Sequence, residues 1–351
     1  MIDINRQDRL QVKPKLIDPR ADDCAKRLMA YLCDIYGRRM LTGQQIGVQS
    51  APEMDVIRRE TGKYPVVGGF DFMNNSPSRT ERGAKGNDAE LALNWWRDGG
   101  IVTFCWHWNA PKDLIDRPPD KGWNRGFYTS ATAFDIARAM SDPDSEEYAL
   151  LLRDIDVISG LLAELRAAGV PVLWRPLHEA SGGWFWWGAK GPEPYLKLWK
   201  LMYERMTNVH GLHNLIWVWN GQHPDWYPGD ELVDIIGEDI YPPERTYGSH
   251  ADRFRQALGY TDANKIIALS ENGPLPDPDK MLEDGALWAW NCTWYGSFVY
   301  RQDEAGRTVV SEQYTERYML RKVYDHPLTV TRDELPDLTA YPLPDQQGGA
   351  G

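Results

Sequence analysis

Six apolar runs in this sequence end in side chains able to bind or transform a ligand: His107, Glu179, Asn220, Asp239 with Tyr241, Glu271 and Trp294. Ending a buried run in an ionisable group is costly unless the group is paired or used. Two of these residues are glutamates. A retaining glycosidase needs two carboxyls about 5 to 5.5 Å apart, one protonated to serve the leaving oxygen and one ionised to attack the anomeric carbon. Taken singly, Glu179 or Glu271 reads equally well as a salt-bridged strand end. Both together, among tryptophans, favour the chemical reading. Period-two alternation puts Arg175, Leu177 and Glu179 on one strand face, and does the same for Ile267, Leu269 and Glu271 and for Asp239 and Tyr241.

Those groups must be brought together by the elements that carry them. Eight short apolar or β-branched runs recur along the chain: 39–45, 64–72, 101–108, 170–179, 215–220, 233–241, 265–271 and 286–294. Helical patterns fill most gaps. In Ser145 to Ala168 the apolar residues Leu151, Ile155, Ile158, Leu162 and Leu165 recur at spacings of four and three, which makes one stripe. Glu193 to Asn208 follows Pro192 and precedes Gly211, and further helices are predicted at Cys24 to Tyr36 and Ser311 to Tyr324. Strands alternating with helices imply a parallel sheet with crossovers. At this length the expected fold class is α/β, a single-domain (β/α)8 TIM barrel whose strand C-termini carry the chemistry. Two doubly wound domains would want a Gly-rich phosphate turn, and neither GxGxxG nor GxxxxGK[ST] occurs. The catalytic barrel is expected over residues 1–335, with an N-terminal extension at 1–20, and a Pro/Gly-rich tail follows at 336–351.

Composition narrows the classes of partner. The 351 residues are 42% hydrophobic and 26% charged, with 39 Lys and Arg against 51 Asp and Glu, a formal charge of −12. Such a surface repels phosphate backbones and anionic headgroups, so neither nucleic acid nor membrane is an expected partner. No stretch approaches the roughly 18 to 20 apolar residues of a membrane span. Cys24, Cys33, Cys105 and Cys292 are scattered, without a CxxC spacing, and read as small hydrophobes. His210 and His213 lack a carboxylate cluster nearby and read as a solvated turn rather than a metal site. The aromatic count stands out, with Trp 16, Tyr 17 and Phe 8, many of them in Trp106-His107-Trp108 and Trp184-Phe185-Trp186-Trp187. Such rings stack on sugar C–H faces, but a Trp-rich core accounts for them equally well.

The run from Val172 to Gly188, VLWRPLHEASGGWFWWG, with ALSENGPLPDP at 268–278, strongly resembles the β-mannanases of glycoside hydrolase family 26. The likeness continues through WHWNAP at 106–111, LIWVWN at 215–220, EDIYP at 238–242 and CTWYG at 292–296, and spans roughly residues 25 to 330. It implies a retaining endo-β-1,4-mannanase acting on mannan, glucomannan or galactomannan, without a cofactor or metal. Glu179 then matches the general acid/base and Glu271 the nucleophile. Trp184 matches an aromatic beside the reactive sugar, Tyr241 a hydrogen-bond donor to the nucleophile, and Trp294 a stacking platform. His107, His178 and Asp239 match further substrate-binding positions. Alternation turns His178 away from Glu179, so a bulge or twist is expected there. Tyr295 stands where some members carry Arg or Asn.

The alternatives are an exo-acting mannobiohydrolase, a β-1,3-xylanase or mixed-linkage glucanase of the same family, and a non-catalytic carbohydrate-binding protein. A metal-dependent hydrolase using His107 and His178 lacks the other ligands expected. Loops from Asp113 to Thr129 and His223 to Glu231 are where endo and exo action would be decided. A monomer is expected. The N-terminus, MIDINRQDRLQVKPK, carries no apolar h-region, which fits an extracellular protein whose leader is absent from this chain or, alternatively, a cytoplasmic one.

Overall fold

The eight apolar runs become eight parallel strands closed into a barrel: β1 (Gly43–Gln45), β2 (Val67–Asp71), β3 (Ile101–Cys105), β4 (Val172–Arg175), β5 (Leu215–Trp219), β6 (Ile235–Ile240), β7 (Ile266–Asn272) and β8 (Asn291–Thr293). The computed structural model describes residues 7–47 and 51–344. Helices cover the outside, so nearly every strand residue is buried on both faces, which is why the runs read as continuous rather than alternating. The seam is closed by Gln44 of β1 registering with Thr293 of β8, the Gln44 Nε2 donating to the Thr293 carbonyl at 2.9 Å. Gly43 permits this approach, since a Cβ there would lie 2.2 Å from the Asn291 carbonyl oxygen.

The longer helices are α1 (Asp23–Ile35), α2 (Pro52–Thr61), α3 (Asp88–Arg97), α4 (Glu146–Ala167), α5 (Pro192–Glu204), α6 (Ala251–Leu258), α7 (Pro278–Asp284) and α8 (Arg317–Asp325), with single turns at Pro77–Thr80 and Ile136–Ala139. In α4 all five residues of the expected stripe are buried, and Ser145 caps the helix by accepting from the Tyr148 N–H at 3.2 Å. The connection from β5 to β6 carries only two 3-10 turns, Pro224–Trp226 and Asp230–Leu232. Helix α1 precedes the barrel and meets its N-terminal face, where Asp22 N–H donates to the His213 carbonyl and Ile267 N–H donates to Tyr36 Oη. The last crossover departs from the sequence expectation. Residues 300–302 and 308–310 form an antiparallel hairpin and Ser311 N–H donates to Val299 O, so the helix begins at Arg317 and not at Ser311.

Of the N-terminal extension, Arg9 is tied to carbonyls of Leu258, Thr261 and Asp262, and Ile17 N–H donates to Asp234. In the C-terminal segment, Leu338 is buried and Tyr341 donates to Asp34, while residues 345–351 lie outside the described residues. No helix of the described residues is long and apolar enough to cross a membrane.

Candidate active site

Strand β4 ends at Arg175, four residues short of the sequence expectation. The chain then turns sharply, with Leu177 at φ 52° and Glu179 at φ 53°, both left-handed and both non-glycine. Such backbone is strained unless its surroundings hold it. Here Glu179 N–H donates to both the backbone carbonyl and the side-chain oxygen of Asn220 at the end of β5, at 2.7 and 3.0 Å. This turn, in place of a strand bulge, lets His178 and Glu179 face the same cavity. The bulge lies in β7 instead. Glu238 registers with Leu269 but Asp239 registers with Glu271, so Ser270 is the extra residue and Glu271 is carried round to meet Asp239.

One cavity of about 610 Å³ at the C-terminal end of the strands is lined by all eight residues singled out from sequence: His107, His178, Glu179, Trp184, Asp239, Tyr241, Glu271 and Trp294. Carboxylate oxygens of Glu179, Asp239 and Glu271 lie within 4.8 Å of one another. Between them reaches Arg175, itself 1% exposed, whose Nη1 donates to Asp239 at 2.5 Å and Nη2 to Glu271 at 2.6 Å. The other Glu271 oxygen accepts from the Tyr241 hydroxyl. Among the described residues the Glu179 carboxyl receives only Trp184 Nε1–H, at 2.8 Å. Three acids around one guanidinium cannot all ionise cheaply. Burial first, and the Glu271 charge second, push the Glu179 carboxyl up to about 7. Asp239 is also held well above the usual range by its burial, despite Arg175.

The two histidines form a second polar string. His107 Nδ1 meets Asp71 Oδ2 at 2.6 Å, and His107 Nε2 lies 3.3 Å from His178 Nε2. Burial works against a charged His107, but Asp71 outweighs it and the net shift is upward. His178 moves well below its usual value because it is buried and faces the positive charges of His107 and Arg175. A protonated His107 donating to a neutral His178 satisfies both contacts.

A barrel with two carboxyls at this spacing, on strands four and seven, invites comparison with known glycosidases. The profile of glycosyl hydrolase family 26 matches residues 17–334. The chain belongs to this family. A mannan endo-1,4-beta-mannosidase of Thermothelomyces thermophilus is 46% identical over 310 residues, covering 88% of this chain and 63% of that protein. Among solved structures, a Podospora anserina GH26-CBM35 beta-(1,4)-mannanase superposes with a TM-score of 0.87 at 42% identity, covering 93% of this chain and 70% of that one. A beta-mannanase from a symbiotic protist of the termite Reticulitermes speratus, complexed with gluco-manno-oligosaccharide, gives 0.81 at 32% identity, covering 93% and 98%. The chain spans between 51% and 63% of the length of three curated mannosidases that it matches.

Within this family-26 site, several contributors escaped the sequence reading. Arg175 was placed on the face of Glu179 by alternation but not assigned to the site; an Arg four residues before a strand-end Glu was the available signal. Asp71, at the end of β2, also accepts from the His107 backbone N–H at 3.0 Å, and nothing in its neighbourhood of sequence marks it. The aromatic motifs divide. Trp184 and Trp294 line the cavity, while ten of the sixteen tryptophans are under 2% exposed. Trp106 and Trp108 stack on each other with centroids 4.2 Å apart, and Trp108 Nε1 is anchored on buried Asp154 of α4 at 2.8 Å, so only His107 of that motif faces the ligand space. Gly182 leaves room for the Trp184 ring, which a Cβ would approach to 2.1 Å.

Metal ligation finds little free donor capacity here. The two groups of three donors within 4.8 Å among the described residues are Glu179, Asp239 and Glu271, already holding Arg175, and Asp71, Cys105 and His107, already paired. Burial holds the Cys105 thiol well above its usual value, so it is a poor ligand. His210 and His213 bind separate carboxylates, Asp156 and Asp18, each at 2.6 Å.

Proposed function

We propose that this protein is an endo-β-1,4-mannanase that hydrolyses internal mannosidic bonds with retention of configuration. The observation that carries the reading is the Glu179 and Glu271 pair, with oxygens inside 4.8 Å in one cavity flanked by Trp184 and Trp294. That spacing suits a double displacement, in which no water need fit between acid and base. Glu271, accepting from Arg175 and Tyr241, is the carboxylate that attacks the anomeric carbon. Glu179, at about 7, starts protonated, gives its proton to the leaving oxygen, and then deprotonates the water that releases the sugar. Trp184 orients Glu179, Trp294 stacks on a sugar face, and Asp239, His107 and His178 contact its hydroxyls.

The mannan substrate is supported by the names of the relatives above. Endo action is supported by the lining of the cavity, to which the 113–129 loop gives only Tyr128 and the 223–231 loop gives nothing. A polysaccharide does not cross a membrane unaided, which supports an extracellular site of action. Product analysis of linear mannohexaose tests the reading. Mannobiose, mannotriose and mannotetraose appearing together from the outset are expected, with a rise in reducing ends on galactomannan. Early formation of mannobiose and mannotetraose without mannotriose would refute endo action, and no cleavage would refute the function.

A further inference from the structure

Resting on that proposed function, we infer that Arg253 and Gln222 form a recognition site for the hydroxyls of the sugar on the leaving-group side of the cleaved bond. Both residues line the same cavity as Glu179 and Glu271, and neither belongs to the proton-transfer or nucleophilic machinery. Gln222 follows β5 and stands two residues beyond Asn220, the residue that grips the Glu179 backbone. Arg253 lies in the first turn of α6, after β6. In ring order the two therefore stand between the strand of Glu179 and the strand of Glu271, on the opposite side of Glu271 from Trp294. An acid that serves the leaving oxygen has the departing sugar beside it, so this is the part of the cavity that sugar must occupy.

The pair is held in place at some cost. Arg253 Nε donates to Glu238 at 3.0 Å, Nη2 donates to the same carboxylate, and Nη2 also donates to Gln222 Oε1 at 2.7 Å. The Glu238 side chain is fully buried, while that of Arg253 is 38% exposed. Tyr260 completes Glu238 with a hydrogen bond at 2.9 Å. A buried carboxylate thus fixes an arginine that opens onto the cavity. Gln222 adopts φ 59°, a left-handed conformation unusual for glutamine, and its Oε1 also accepts from Asp239 N–H at 3.3 Å. With Oε1 so engaged, the Gln222 amide Nε2 and the Arg253 Nη1 are left without an acceptor among the described residues. Two adjacent fixed donors facing a cavity match two neighbouring hydroxyl oxygens of a neutral hexosyl unit.

The test compares mannotetraose, which places sugars beyond the cleaved bond, with 4-nitrophenyl β-mannobioside, which places only an aryl group there. The readout is the ratio of the two kcat/KM values, from which a common loss of folded protein cancels, read with the fall of kcat/KM with pH, which must stay near 7 because a disturbed Glu179 acid would lower the same ratio. Arg253→Met and Gln222→Ala are each expected to lower the ratio about tenfold or more, the scale of a lost hydrogen bond to a charged donor for Arg253 and the lower end for Gln222. Arg253→Met leaves Glu238 without its partner; if that variant does not fold, Gln222→Ala, which keeps the ion pair, decides. A wild-type protein active on both substrates with variants of unchanged ratio overturns this inference alone. A wild-type protein inactive on both overturns the proposed function and this inference with it.

Discussion

Replacing Glu271 by Gln should make Glu179 a stronger acid. The substitution keeps the size of the side chain but removes a negative charge whose oxygen lies within 4.8 Å of Glu179. At 4.8 Å, the largest separation of these oxygens, and an effective dielectric constant of about 20, two unit charges repel by about 3.5 kcal/mol, or about 2.5 pH units, before the opposing charge of Arg175 is counted. Burial is the larger of the two causes that push Glu179 up to about 7. Arg175 stays in place in the variant and still favours ionisation. The Glu179 titration should therefore fall to between about 5 and about 6.

The side-chain carboxyl carbon, followed by NMR through a pH titration and assigned by its loss in Glu179→Gln, reads this directly. A wild-type carboxyl titrating below about 5 would refute the acid assignment. A titration that stays near 7 in Glu271→Gln would refute the electrostatic part of the reasoning and leave burial as the whole cause. The same chemistry sets the sign of the activity profile. The acid works only when protonated, so kcat/KM of the wild-type protein should fall as pH rises through about 7.

Other perturbations probe other parts of the site. Glu179→Ala should depress hydrolysis of mannan by at least about 10²-fold more than hydrolysis of an aryl mannoside, whose leaving group needs little protonation; equal losses in steady-state assays would remove Glu179 from that role. Glu179→Gln should stabilise the fold, because a carboxyl raised from 4.5 to about 7 binds its proton more tightly folded than unfolded. That stability is complete below 4.5 and lost as pH rises to about 7, so the variant should exceed wild type by about 1–3 kcal/mol at pH 8 and by little at pH 4 in urea melts. Arg175→Met strands Asp239 and Glu271 without their buried partner and should cost about 3–5 kcal/mol, with loss of turnover; an unchanged urea midpoint would show that the carboxyls simply take up protons. Trp294→Ala should weaken manno-oligosaccharide binding about tenfold, measured by calorimetry on the Glu179→Gln background, and an unchanged Kd would remove it as a stacking surface.

The barrel was legible because its strands are buried on both faces, so eight apolar runs separated by amphipathic helices leave few alternatives. The seam and the last crossover were not. A β1 of three residues, Gly43–Gln45, and a hairpin that displaces the start of α8 carry no periodic signal. At the site, alternation located Glu271 at the mouth of β7 but could not see that Ser270 is an extra residue in the register that brings it against Asp239. Composition left the role of the aromatic residues open. The tryptophan count fits a sugar platform and a Trp-rich core alike; most of these rings fill space between strands and helices, and the two facing the cavity, Trp184 and Trp294, are marked in the sequence only by the family resemblance. Asp71 and Arg253 were invisible because each acts through a partner distant in sequence, His107 in one case and Glu238 in the other.

The division of labour between the two glutamates follows from the reach of one arginine. Arg175 and Glu179 leave the same strand four residues apart, and in a regular strand their side chains would share a face. The left-handed turns at Leu177 and Glu179 break that relation, so that the guanidinium stays in the barrel and spends its two bonds on Asp239 and Glu271. Glu179 is carried out of its hydrogen-bonding reach, to a position where, among the described residues, its only side-chain donor is the neutral indole of Trp184. Of the two carboxyls within attacking distance of one sugar, the one held by Arg175 and Tyr241 is oriented for attack, and the one deprived of the cation is suited to hold a proton. In the proposed mechanism, a backbone conformation that looks like local strain thus decides which glutamate donates and which attacks.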